Sequence, residues 1–169
     1  PKTVNAWCMA GGTMALYTGL VEQIKPTDDE LAQVIGHEIA HALANHSAEK
    51  MSVSMASSLG ILAIGIATDT PGVTAGAAAA ALVAVTLPNS RTAETEADRI
   101  GIELAAKAGF NPHAAVSLWE KMEKVSGGSP VDFLSTHPSS GKRQQRLGKL
   151  VPQMTPYYED RGKRPVYPL

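Results

Sequence analysis

The segment Gly36 to Ala42, GHEIAHA, sets two histidines and a glutamate in a run of helix-forming, mostly apolar residues. On a helix, positions four apart differ by about 40° around the axis and about 6 Å along it, so His37 and His41 face the same way one turn apart. Two imidazoles so related can share one metal ion. Zinc accepts neutral histidine nitrogens at about 2.0–2.1 Å, and a catalytic zinc takes three protein ligands and keeps water in the fourth position. A carboxylate next to that position, here Glu38, can take the proton of a water made more acidic by the ion as its oxygen attacks a carbonyl. With 5 histidines and ten glutamates in 169 residues, this pattern arises by chance roughly 0.009 times. Ile35, Ile39, Ala40, Ala42 and Leu43 argue against two surface histidines on a solvated helix.

Such a site needs a third ligand. The metzincin pattern supplies a glycine and a further histidine at fixed spacing, and those places hold Ala44 and Ser47. On a continuous helix His46 lies about 140° round from His41 and faces away from the metal, which leaves it a structural role as a capping or core-edge residue. The segment SRTAETEAD is the better source. Glu94 and Asp98 are one turn apart on one face, whereas Glu96 is about 200° from Glu94 and cannot reach the same ion. Spacing therefore selects Glu94 as ligand, with Asp98 placed to accept a hydrogen bond from the far nitrogen of a ligand histidine and fix its tautomer.

The elements that position these residues are mostly helical. Thr27 and Glu30 form a capping box, and Asp28 and Asp29 suit the positive end of a helix dipole, so the active-site helix is expected over 28–51. A second helix, 91–108, ends near Gly109 as a left-handed cap. Asn111 and Pro112 start another, which stops at Gly127-Gly128. Residues 3–20, with Gly11-Gly12 at the centre, read as a β-hairpin that forms a sheet edge. Residues 59–87 are almost uncharged and are broken by TDTPG into halves too short to span a bilayer. They read either as two small-residue helices packed on the core or as an exposed apolar hairpin that touches a membrane surface or a protein. A short helix is expected over GKRQQRLGKL, and the tail 151–169, rich in proline and glycine, is expected to be irregular. His113 reads as structural, Cys8 as a small buried hydrophobe, and Trp7, Trp119, Phe110 and the methionines as core or cleft wall.

Composition fits one domain, residues 1–150, with a real core: 44% of 169 residues are hydrophobic. Fifteen basic and 16 acidic side chains give a net charge of -1, and without a basic stripe nucleic acid is not an expected partner. One cysteine forms no internal disulfide and leaves the redox compartment open. The chain starts at Pro1 with no basic, then apolar, leader, which is compatible with a signal or anchor that has been removed.

Taken together, HEIAH, SRTAETEAD and STHPSSGKR resemble the gluzincin metallopeptidases of family 48, over about Asn5 to Leu150 and most nearly their soluble periplasmic bacterial branch. The resemblance implies an α+β, zincin-like domain, mostly helical with a small sheet, and a zinc-dependent endopeptidase acting on polypeptides in the bacterial periplasm or envelope. It implies one zinc ion held by His37, His41 and Glu94, with Glu38 as general base. NAWCMAGG matches the strand that lines the substrate cleft, so Asn5, Ala6 and Trp7 become its edge, to which an extended peptide can add. In the histidine-proline segment, His137 approaches the active site, either to stabilise an oxyanion or to occupy the open metal position and hold the enzyme inactive; Arg143 follows as a supporting basic residue. The ligand types also suit cobalt or nickel. The competing reading is a latent protease that works mainly as a zinc-stabilised chaperone or assembly factor and binds clients through 59–87; Glu38 counts against it, because a purely structural zinc has no use for a base.

Overall fold

The computed structural model describes residues 2–9, 11–68, 71–126, 133, 137 and 142–160. Two short strands, β1 (Ala6–Cys8) and β2 (Met14–Leu16), pair antiparallel with Ala6 opposite Leu16 and Cys8 opposite Met14. Their turn depends on Gly11 and Gly12, with φ of 96° and 87°, a left-handed backbone that glycine adopts without a side-chain clash. A single π-helical turn, Leu20–Ile24, leads into the helices.

Helix α1 (Asp28–Leu43) begins with the expected capping box: the Glu30 amide donates to Thr27 Oγ1, and the Thr27 amide to the Glu30 carboxylate. It ends eight residues before the expected Met51. Asn45 takes a left-handed conformation, φ 56°, which asparagine tolerates better than most residues. The chain therefore turns and restarts as α2 (His46–Thr68).

Helix α3 (Pro71–Lys107) merges what the sequence suggests are separate pieces, the second half of 59–87 and the helix 91–108. The helix runs on through Pro88, whose cost of about 3 kcal/mol is local while helix continues on both sides. The expected TDTPG turn lies partly outside the described residues. Helix α4 (Ala114–Ser126) follows, then α5 (Arg143–Glu159). The tail expected to be irregular from Val151 is helical to Glu159, despite Pro152 and Pro156. Leu147, Val151 and Met154 recur at helical spacing and are all buried, and burial worth about 2 kcal/mol per side chain offsets the two lost backbone bonds.

The core gathers Val4, Leu20, Val34, Ile102, Leu118, Trp119, Met122, Phe133, Leu147 and Val151, so β1, α1, α3, α4 and α5 all feed it. Among residues 41–63 no hydrophobic side chain is buried. On α2, Met51, Met55, Leu59 and Leu62 share one face and are 60–66% exposed. The first two are thus surface residues, not the core or cleft wall expected of methionines; the turn at Asn45 carries α2 off the core. Among the described residues, no helix is long and apolar enough to cross a membrane.

Candidate metal centre and active site

Helices α1 and α3 cross with their backbones in contact. A Cβ on Gly36 would lie 2.7 Å from the Gly101 carbonyl oxygen, and one on Gly101 would lie 2.8 Å from the His37 amide nitrogen. Glycine at both places lets the helices approach until side chains one turn away on each meet. Sequence spacing along one helix carries no sign of this crossing.

His37 and His41 turn their Nε2 atoms towards each other at 3.1 Å. Glu94 completes the triangle, with Oε2 3.2 Å from His37 Nε2 and Oε1 3.3 Å from His41 Nε2. His137 joins as a fourth donor: its Nδ1 is 3.3 Å from His37 Nε2 and 3.1 Å from Glu94 Oε1. One donor atom from each of the four lies within 4.8 Å of all the others. Donors around a tetrahedral zinc with bonds of about 2.0–2.1 Å are about 3.3 Å apart, so the spacing and the mixed nitrogen and oxygen donor set fit that ion.

The surroundings hold two of these groups, His41 and Glu94, in ligating form. Burial keeps the His41 imidazole neutral, its pKa lowered to about 4. Burial alone would raise Glu94, but the hydrogen bonds from His137, His37 and His41 outweigh it and hold the carboxyl well below its usual range. Asp98 Oδ1 lies 3.2 Å from His37 Nδ1, the nitrogen that faces away from the donor cluster. Burial would lift Asp98 too, yet the His37 contact and the Arg143 guanidinium keep it ionised. Arg143 is itself buried, donates to both Asp98 and Glu94, and stacks 3.7 Å over the Trp119 ring.

Glu38 points to the other side of the cluster. Its Oε1 is buried without a hydrogen-bond partner among the described residues, although His137 Nε2 lies 3.3 Å away. Burial raises its pKa, the two nearby histidines lower it in part, and Glu94 raises it further. A backbone hydrogen bond from Cys8 ties it to β1. Next along β1, Trp7 donates to the Tyr17 hydroxyl at 3.4 Å, and the Asn5 carbonyl accepts from the Tyr17 amide at 3.0 Å. Ala6 is buried in the core.

His137 is seated by a residue that sequence reading did not single out. Phe133 stacks on its ring at 4.5 Å and receives its backbone amide, while the Phe133 amide donates to Val4. Pro138 lies outside the described residues. His46 also departs from expectation. The turn at Asn45 breaks the 100° progression on which its orientation was reckoned, and its Nδ1 comes to 3.0 Å from His41 Nδ1. Glu96, off the donor cluster as spacing requires, meets His46 Nε2 at 3.4 Å.

A small sheet over a helix that bears HExxH, with a glutamate brought from a second helix, defines a zincin-like domain. The chain belongs to peptidase family M48, which it matches over residues 1–151. It is 38% identical to the mitochondrial metalloendopeptidase OMA1 of Schizosaccharomyces pombe, over 89% of this chain and 44% of that protein. It is 36% identical to the mitochondrial metalloendopeptidase OMA1 of Homo sapiens, over 89% of this chain and 31% of that one. Metalloprotease YcaL of Escherichia coli is 31% identical, over 85% of this chain and 57% of YcaL. The chain thus spans less than two thirds of each. These identities do not single out the periplasmic bacterial branch expected from the motifs, because the mitochondrial relatives are the more similar of the three.

Proposed function

We propose that this domain is a zinc-dependent endopeptidase. One observation carries the reading: four donor atoms converge at the spacing of a single ion's ligands, and beside them lies a buried carboxylate oxygen with no hydrogen-bond partner among the described residues. When bound, zinc supplies a Lewis acid that polarises the scissile carbonyl and acidifies water. His37, His41 and Glu94 hold the ion. Asp98 fixes the His37 tautomer, and Arg143 offsets the charge of two neighbouring carboxylates. Glu38 Oε1 takes a proton from the attacking water, helped by the burial that raises its proton affinity, and passes it to the leaving amine.

The substrate is a polypeptide that lies extended along β1 at Asn5, Ala6 and Trp7 and adds to it as a further strand. His137 lies within the donor cluster, which supports the reading that it occupies the place water or substrate needs and withdraws for turnover. The contact of 59–87 with a membrane surface or a protein is supported by the exposure of Leu59 and Leu62. The bacterial periplasm or envelope as its setting rests on the resemblance of the motifs; the similarity to YcaL favours only its bacterial part.

The deciding experiment is cleavage of casein by zinc-loaded wild type and by Glu38→Gln, with bound zinc quantified in both. Cleavage by wild type alone, at equal zinc content, supports a catalytic ion and its base. Equal cleavage by both variants removes Glu38 from the mechanism.

A further inference from the structure

The two ligand histidines are backed differently. His37 Nδ1 has a carboxylate, Asp98, directly behind it at 3.2 Å. Behind His41 there is no carboxylate at that distance among the described residues; the group at His41 Nδ1 is the His46 ring, 3.0 Å away, edge to face at 72° with centroids 5.0 Å apart. His46 is buried, and its other nitrogen reaches Glu96 Oε2 at 3.4 Å.

We propose that His46 and Glu96 are positioning residues for the metal ligand His41. The assignment rests on the reading that His41 Nε2 holds the ion. If that nitrogen offers its lone pair, the proton of the neutral ring must sit on Nδ1. His41 Nδ1–H then donates to His46 Nδ1, which must be unprotonated to accept it. That sets the proton of His46 on Nε2, from which it donates to Glu96. The acid fixes the tautomer of one histidine and, through it, of the next, so His41 gains through a relay the orientation that His37 gains from Asp98 directly. Contacts of this kind are worth about 10–100-fold in metal affinity when lost.

The Asn45 turn is what makes the relay possible. A helix continuing through residues 44–46 would carry His46 round to the far face; with Asn45 left-handed, α2 starts again with its first side chain against His41. Glu96, two residues along α3 from Glu94, reaches the other nitrogen of His46 from the same helix.

The test is zinc affinity, measured on the full chain by competition with a chromogenic chelator, for wild type, His46→Leu, His46→Asn, Glu96→Gln and His41→Ala. His46→Leu fills the volume without an acceptor and should lose about 10–100-fold. His46→Asn sets a carbonyl oxygen near the position of Nδ1 and should stay within a few-fold of wild type. Glu96 is 49% exposed, so Glu96→Gln should lose less than His46→Leu. In cobalt-loaded protein the visible ligand-field bands should shift with His46→Leu and not with His46→Asn. The proposal is overturned if His46→Leu binds zinc within twofold of wild type, or if Leu and Asn lose alike with melting of the metal-free protein lowered in parallel. His41→Ala separates this from the reading beneath it: unchanged affinity there removes His41 as a ligand, whereas a large loss there beside an intact His46→Leu overturns the relay alone.

Discussion

Gly36 and Gly101 touch backbone to backbone where α1 and α3 cross, and a single added Cβ at either would come within 2.7–2.8 Å of the other helix. No rotamer relieves this, because the obstacle is main chain. Gly101→Ala should destabilise the fold by about 1–3 kcal/mol, the range for an overpacked core, and should weaken zinc binding by moving Glu94 away from His37 and His41. Denaturant unfolding and chelator competition would measure the two effects; an Ala variant with both unchanged would show that the crossing has room to spare.

Arg143 serves two buried carboxylates and a tryptophan face at once. Arg143→Met should cost about 3–5 kcal/mol, the loss expected when one partner of a buried ionic group is removed. Arg143→Lys should recover only part of this, since an ammonium lacks the planar fork that spans Asp98 and Glu94 while lying flat on Trp119. The unfolding midpoints of the three proteins rank this directly.

Zinc should stabilise the chain by about 2.7 kcal/mol when free ion is a hundredfold above its dissociation constant. For a domain of this size that is a rise in melting temperature of roughly 5–10 °C. Chelation should reverse it. Glu94→Ala should abolish the rise, and a Glu94→Ala protein with a full zinc shift would show that the ion is held elsewhere.

His137→Ala should raise casein cleavage, because it removes the donor that competes for the open position. A loss of cleavage with zinc retained would favour the other role considered for this residue, stabilising an oxyanion. Unchanged turnover would exclude both.

Acid should loosen the start of α1. Glu30 is buried; burial alone would raise its pKa, but donation from Lys121, the Thr27 amide and Ser117 outweighs it, so the folded value lies below the ordinary 4.5. A depressed carboxyl contributes stability that is fully present above the unfolded pKa and is lost as pH falls through the folded one. Glu30→Gln should therefore flatten the fall in stability below about pH 4.5, and Glu30→Ala should cost about 2 kcal/mol at neutral pH. Urea melts between pH 3 and 7 would show whether the slope depends on this residue.

What could be read from sequence was what depends on short-range periodicity. His37, Glu38 and His41 needed only the 3.6-residue turn, and Glu94 and Asp98 needed the same turn once more. Thr27 and Glu30 announced the start of α1. What escaped was set by competition between local preference and packing. Proline and glycine after Val151 spoke for irregular chain, while the buried stripe of Leu147, Val151 and Met154 kept it helical. Asn45 was a legible stop signal that was outweighed by the helix formers around it, and with it went the true position of His46. The contact of Gly36 with Gly101 joins residues 65 apart in sequence, a relation that neither segment records by itself.

That no hydrophobic side chain at residues 41–63 is buried has an evolutionary consequence. The chain leaves the donor cluster at His46 and returns to it at Glu94, and the protruding α2 and the first turns of α3 lie between. Along 47–63 side chains can be exchanged without disturbing the core, because no hydrophobic side chain there is buried. The exposed surface of α2 is thus open to substitution without rebuilding the donor cluster at its foot.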